Sequence, residues 1–377
     1  MPSVLEISEI DDLADHRLLW NALLPRTRNA TFFQSLDWLV TYWKHFGDRQ
    51  RLRVLVVSSA GETIGILPLA VRTETTRLGP IRVLGYPLDD WGTFYGPIGP
   101  NPTATLAVGM AYVQQTRRDW DLLDLRNIDA SNCDFGRTPG AMRLAGMQPY
   151  KQAWGEGAVV EMDGTWGEYW QSRTRKWCRN VRRCQRRLAE LGEITHYRYR
   201  PKGRASDDAD PRYDLFDDCC KVARASWQGS STNGTTLCHH SVRDFLRELH
   251  AVAAGADGLD TNLLLLDGEP IAFAYNYHYQ GRVSALRVGF DPQYSGYGPG
   301  TVLQSLVLED SFRRGDRLYD FGVGSLPWKR PWQTSVLTTY RYTHFPLPSA
   351  RANLLRLKRL LESRIHGPEH PRYTVPA

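Results

Sequence analysis

The chain has 377 residues, 42% of them hydrophobic and 23% charged, with a formal net charge of +6. That length exceeds one ordinary core and sets an expectation of two domains, and the composition excludes a long disordered arm. No window approaches a membrane span, the acidic start does not read as a signal peptide, and six cysteines without a C-x-x-C pair argue against a disulfide frame or zinc site and for reduced thiols in a cytoplasmic protein.

Along the chain, Ser35 is the expected N-cap of a helix over 36–46, whose Trp38, Leu39, Tyr42, Trp43 and Phe46 form an aromatic stripe read as core. Val54–Val57, the turn Ala60-Gly61-Glu62 and Ile64–Leu69 read as a hairpin. The segment Tyr95-Gly96-Pro97-Ile98-Gly99-Pro100 follows, then a helical stretch and a strand over 121–125. Next comes a basic run, Arg173, Arg175, Lys176, Arg179, Arg182, Arg183, Arg186 and Arg187, with no acid inside it. At the helical period Trp177, Val181, Cys184, Leu188 and Leu191 form one seam, opposite Arg175, Arg179, Arg182 and Arg186. No acids stand at i,i+4 to relieve the repulsion, so this face suggests an anionic partner. It lacks the interleaved aromatics of a nucleic-acid platform, and no DNA partner is implied. Residues 202–212 read as a loop.

The second half repeats the first. Asn262–Leu266, the turn Asp267-Gly268-Glu269 and Ile271–Tyr275 form another hairpin, and 317–321 matches the strand at 121–125. Between them, a strand over 283–290 leads to Gln293-Tyr294-Ser295-Gly296-Tyr297-Gly298 and a helix from Pro299 to Arg314. Glycines at a strand-to-helix turn let backbone N–H groups converge beside the positive helix end, which suits a pyrophosphate. The first copy has prolines there, which carry no N–H. Residues 349–364 read as a basic amphipathic helix with Leu354, Leu357, Leu361 and Ile365 on one side, docking on the body. Contact with a membrane surface is the minor alternative.

The Q-x-x-G-x-G turn resembles the acyl-CoA loop of the GNAT acyltransferases. Together with Phe32-Phe33-Gln34-Ser35-x-x-Trp38, the basic run, Gly268–Ala272, Gly298-Pro299-Gly300-x-x-Leu303, and Tyr319-Asp320-Phe321-Gly322-x-Gly324 with Trp328-Lys329, the chain resembles the tandem-GNAT acyltransferases of the CelD/BioF2-like family. These are relatives of the Fem-type peptidoglycan aminoacyltransferases. The resemblance implies an α/β (α+β) fold of two GNAT domains, each a mixed, mostly antiparallel sheet flanked by helices. The expected division is a degenerate domain over 1–155, a catalytic one over 156–346 and a basic tail over 347–377.

It implies N-acyl transfer from acyl-CoA, acetyl-CoA first, to an amine acceptor such as an amino sugar or an envelope or exopolysaccharide precursor. A Fem-like aminoacyltransferase and a non-catalytic binding protein are the alternatives. No long helical-hairpin insertion is visible, so a tRNA donor is not indicated, and no metal is implied. The cofactor residues by resemblance are Phe290, Gln293, Ser295, Gly296, Tyr297, Gly298, Gly300 and Thr301. The strand 283–290 carries no Glu to serve as base, so Asp320, then His278 and Lys329, are the catalytic candidates. Arg175, Arg179, Arg182 and Trp91 are the candidates for holding the acceptor.

Overall fold

The structure, a computed structural model, describes residues 2–76, 79–87, 96–232, 234–324 and 326–366. The first half runs β1 (Ser3–Ile7), α1 (Arg17–Leu23), α2 (Leu36–Phe46), β2 (Gln50–Ser59), β3 (Glu62–Thr76), β4 (Gly79–Gly85), α3 (Pro102–Gln115), β5 (Leu122–Asp129), α4 (Arg137–Leu144) and β6 (Tyr150–Glu161). It continues with α5 (Trp166–Ser172), α6 (Arg175–Ala189), β7 (Ile194–Tyr199), α7 (Tyr213–Ala225), α8 (Arg243–Gly255), β8 (Leu259–Leu266), β9 (Glu269–Tyr279) and β10 (Arg282–Phe290). Then follow α9 (Pro299–Arg314), β11 (Leu318–Val323), α10 (Leu326–Lys329), β12 (Ser335–His344) and α11 (Ala350–His366). The contacts divide the chain into unit 1, residues up to 156 together with those from 337 on, and unit 2, residues 157–336.

Unit 1 orders its strands β1-β2-β3-β4-β5-β12. All neighbours are antiparallel except β4 and β5, which pair in parallel only at Val83↔Leu122 and Leu84↔Leu123. The β2–β3 turn puts Ala60 at φ 53° and Gly61 at φ 82°, two successive left-handed residues whose twist suits a tight hairpin. Ser35 caps α2 by accepting from the Trp38 N–H at 3.1 Å, and Trp38, Leu39 and Tyr42 are buried as the stripe requires.

Two expectations about the C-terminal segment are corrected here. Residues 337–346 join unit 1, because Tyr342, Thr343 and His344 on β12 pair with Leu125, Asp124 and Leu123 and because buried Arg341 and Thr343 both donate to the Asp124 carboxylate. Helix α11 packs on unit 1 through Ala352 and Leu355, against Ile81, Val83, Leu122 and Phe345. Leu354, Leu357 and Leu361, expected to face inward, are about half exposed (53%, 54% and 50%), and the Ile365 side chain lies outside the described residues.

Unit 2 repeats the plan as β6-β11-β10-β9-β8-β7, again antiparallel but for the pair β10–β11. Its hairpin turn has the same geometry, with Asp267 at φ 49° and Gly268 at φ 84°. Strand alternation decides the faces. Ala272 and Ala274 of β9 pack with Val302, Leu303, Val307 and Leu308 of α9 and with Val181 and Leu188 of α6, while β9 meets α7 through its other face, where Tyr275 stacks edge-on against Phe216. Under α9 a buried ion network ties the strands together. Arg198 makes two hydrogen bonds to Asp260, Arg200 makes two to Asp316, and Arg198 also reaches Asp310 and the Val307 carbonyl on the helix.

Candidate active site

The chemistry-bearing residues of unit 2 gather around the one parallel strand pair. β10 and β11 are joined only at Arg282↔Leu318, Val283↔Tyr319 and Ser284↔Asp320. Beyond that level β10 stays with β9 as far as Phe290↔Ala272, across a bulge between Ala285 and Arg287. β11 stays with β6, with its own irregularity between Asp320 and Val323. A bulge adds local twist and bends its strand, so the two strands diverge and leave a wedge between them. Gly322, at φ 71°, stands just past the divergence, and a Cβ there would lie 3.2 Å from the Ala285 carbonyl oxygen.

Two of the three catalytic candidates meet at this wedge. Asp320 is buried, with one oxygen accepting from Gly322 N–H at 2.9 Å and the other from Arg282 Nη2 at 2.8 Å. Lys329, expected in an open loop, ends the short helix α10 and is 4% exposed. Its Nζ donates to the Gly322 carbonyl at 2.8 Å and lies 3.4 Å from that of Val323. Burial pushes its pKa down to about 8, with the nearby Asp320 charge acting the other way. Trp328 packs edge-on against Phe321 at 5.6 Å and is 39% exposed. The third candidate is elsewhere. His278 pairs with Val283, its Nε2 accepts from Gly281 N–H at 3.2 Å and lies 3.4 Å from Asp316 Oδ1. About 20 Å of strand, on the order of 3.3 Å for each residue from His278 to Ala272, separate it from the Phe290 end.

The Gln293–Gly298 segment differs from an open amide cradle. Pro292–Tyr297 winds as a 3₁₀ turn and Gly298, at φ 68° and ψ 47°, leads into α9 with Pro299 at its first position. The Asp291 carboxylate accepts the Gln293 N–H, the Asp291 carbonyl takes that of Tyr294, and the Ser295 carbonyl takes that of Gly298. The N–H groups of Thr301 and Val302 both donate to the Gly298 carbonyl. Most of the donors that were to converge on a pyrophosphate are therefore spent within the turn. What remains for an anion is the Gly300 N–H with the positive end of α9, the exposed side chains of Gln293 and Ser295, and Arg187. The last donates to the Gly296 carbonyl at 2.9 Å and stacks on Tyr297 at 5.0 Å. Gly296 has nothing within 4 Å of where a Cβ would stand, so its outer side is open. A Cβ on Gly298 would come within 2.8 Å of Cys184 Sγ. Phe290 packs against Gly300.

The Arg-rich segment forms α6, with Val181 and Leu188 buried and Trp177 and Cys184 packed beside them. Arg175, Arg179 and Arg182 are exposed on the opposite side. Leu191, expected in the inward seam, lies beyond the helix end and is 39% exposed. Arg173 is bound rather than solvated, donating to the carbonyls of Trp332 and Gln333. Trp91 lies outside the described residues. Sequence reasoning missed two residues of the site. Arg187 was seen only as one of a run, although a Cys184–Leu188 seam places it at the end of α6 that meets the turn. Arg282, the partner of Asp320, carried no signal beyond being a charge at the start of a strand.

In the first copy, the segment matching the turn has its own donors spent. Ile98 N–H bonds to the Ile66 carbonyl, Gly99 N–H to Thr27 Oγ1, and positions 97, 100 and 102 are proline. Among the described residues no group of three His, Cys, Asp or Glu side chains is placed to hold a metal ion, and no helix is long and apolar enough to cross a membrane. None of the six cysteines is in a disulfide.

Residues 172–330, which contain α6, the wedge and the turn, match the acetyltransferase (GNAT) domain family. No curated protein sequence matches the chain. Among solved structures the chain is similar to FemX, at 11% identity and a TM-score of 0.63 over 94% of this chain and 99% of that one. It is also similar to the C-terminal domain of a putative lysylphosphatidylglycerol synthetase from Agrobacterium fabrum, at 12% identity and a TM-score of 0.53 over 92% and 96%. L-PGS from Bacillus licheniformis gives 14% and 0.53 over 90% and 96%. At these identities the likeness speaks for the fold. The domain family implies acyl-CoA as co-substrate. Residues 172–330 thus match the acetyltransferase (GNAT) domain family, which supports an acyltransferase enzyme, and the chain shares its fold with FemX.

Proposed function

We propose that unit 2 moves an acyl group, acetyl first, from acyl-CoA to the amine of an anionic acceptor, such as an amino sugar or an envelope or exopolysaccharide precursor. The observation that carries this reading is the wedge between β10 and β11 with the buried Lys329 Nζ at its Gly322 wall. The pantetheine arm would lie along β10, its pyrophosphate at the N-terminus of α9 beside Arg187 and its thioester near Ala285. Five residues of strand from Ala285 to Phe290, roughly 3.3 Å each, give about 17 Å, comparable with an extended pantetheine arm. Phe290, Gly296, Gly300 and Thr301 border that path, with Gln293, Ser295, Tyr297 and Gly298 forming the turn.

The acceptor nitrogen attacks the thioester carbonyl, and the C–S bond breaks as the tetrahedral oxyanion collapses. The thiolate leaves as CoA and the proton of the amine passes to solvent. With a pKa of about 8, Lys329 is mostly an ammonium at neutral pH, and in a dry wedge it would stabilise the oxyanion or the departing thiolate. Asp320 is a positioning residue in this scheme, since both its oxygens already accept hydrogen bonds. His278 takes no part. Arg175, Arg179 and Arg182 draw the anionic acceptor. Unit 1 is a degenerate copy whose loop donors at Ile98 and Gly99 are consumed, and cysteines without a C-x-x-C pair suit a cytoplasmic enzyme.

A specific observation favours a second reading. The self-satisfied turn is a poor amide cradle, which suits a donor other than CoA, and an aminoacyl donor of the Fem kind is the alternative. Isothermal titration with acetyl-CoA and a longer acyl-CoA decides between them. Micromolar binding of either supports acyl-CoA transfer, whereas no heat from either at millimolar concentration refutes it.

A further inference from the structure

Unit 1 carries a cleft that acyl transfer in unit 2 does not use. It is lined by the segment Thr27–Asn29, by the loop from Gly96 to Pro102 and by Cys133, Asp134 and Arg137. Its cavity volume is about 40 Å³. The cavity has room for a small polar head, not for a ring.

The backbone around it is unusual. Residues 130–134 wind as a π-turn, held at its start by the Asp129 carboxylate, which accepts the N–H groups of Ser131 and Asn132. Phe135 and Asn29 are in the left-handed region at φ 50° and φ 55°. Single π-turns and non-glycine left-handed residues cost free energy and collect where a side chain must be aimed. Asp134 ends the π-turn. It is 5% exposed, and its Oδ1 accepts from both the N–H and the hydroxyl of Thr138. Its Oδ2 is buried with no hydrogen-bond partner among the described residues. Burial raises the pKa of this carboxyl, with the hydrogen bonds from Thr138, the Gly136 N–H and the Arg137 charge acting against the shift. Arg28 and Arg137 both lie over the Phe135 ring, at 4.9 and 5.4 Å, and both line the cleft.

A buried carboxylate oxygen with no donor is expensive unless something supplies one, and a cation supplies the strongest. We propose that this cleft binds a small molecule with a primary ammonium and an anionic group. The ammonium sits on Asp134 Oδ2 in the cavity, and the anionic group lies at its mouth between Arg28 and Arg137. A hexosamine phosphate has this chemistry, with its ring left outside the cavity. The site stands whether or not unit 2 uses acyl-CoA, because the test below reads binding and not turnover.

The experiment is calorimetric titration of the full chain with glucosamine 6-phosphate and with glucose 6-phosphate, which differ by amine against hydroxyl. The amine should bind at least tenfold more tightly. Asp134→Asn should bring the two ligands to equal affinity, and Arg137→Gln, at a half-buried position, should weaken both by the same factor and keep the preference. Equal affinity in the parent, or no binding of either at millimolar concentration, overturns the proposal. So does a preference that survives in Asp134→Asn. Should that variant fail to fold, unchanged affinity in Arg137→Gln overturns it independently.

Discussion

Replacing Lys329 by Met should make the protein more stable at neutral pH while removing its activity. The parent keeps an ammonium in a site that lowers its pKa from 10.5 to about 8. At about 1.36 kcal/mol for each tenfold, that costs the folded state about 3 kcal/mol while the group is charged. Met fills a similar volume without that charge, but the Gly322 carbonyl loses its donor, at about 1–3 kcal/mol. The variant should therefore be more stable than the parent by between about zero and 2 kcal/mol at pH 7. The pH dependence has a definite sign. Between pH 8 and 10.5 the unfolded lysine holds a proton that the folded one has released, so the parent gains stability as pH rises and the variant does not. Urea unfolding of both proteins from pH 7 to 10 should show the advantage of the variant shrinking by about 1.4 kcal/mol per pH unit above 8. Turnover of the acyl-CoA complex should fall roughly 100-fold or more, as for loss of an oxyanion donor, with acyl-CoA affinity unchanged. A stability difference that does not vary with pH, or a variant that keeps its turnover, would refute the reasoning.

Asp320→Asn removes the charge that opposes the lowering of the Lys329 pKa, so the alkaline fall in the turnover of saturated enzyme should move from near pH 8 to lower pH. A profile that stays in place in that variant counts against the coupling. Gly296→Val, at an open position, should weaken acyl-CoA binding about tenfold or more and leave the melting temperature within experimental error. Gly298→Val meets Cys184 and a left-handed φ that costs about 1–2 kcal/mol, so it should also destabilise the fold. Equal binding by parent and Gly296→Val would remove the turn from the donor site. Charge reversal of Arg175 and Arg182 together should raise the acceptor KM at low salt more than it lowers kcat, and added salt should narrow the gap. An unchanged KM would mean that this face of α6 is only solvated.

The sequence by itself determined what depends on neighbours along the chain. Two hairpins with an x-Gly turn, two strand–helix–strand runs, the Ser35 cap and the inward seam of α6 through Leu188 are local periodicities and turn preferences, and they stand where the pattern puts them. It also determined that Lys329 and Asp320 belong to one short stretch after α9. Tertiary structure decided everything that needs a partner distant in sequence. Arg282 reaches Asp320 across a parallel pair of strands, and burial at the end of α10 turns an ordinary lysine into one with a lowered pKa. The donors of the Gln293 turn are spent on acceptors that a glycine count does not see. The tail illustrates the same limit. Its amphipathic stripe was legible, but β12 pairs with β5 and seats α11 by Ala352 and Leu355, because a helix on a twisted sheet buries whichever positions the strand beneath it presents. Asp134 is the extreme case. One aspartate among many in the sequence, it ends a π-turn and keeps one oxygen buried with no hydrogen-bond partner among the described residues.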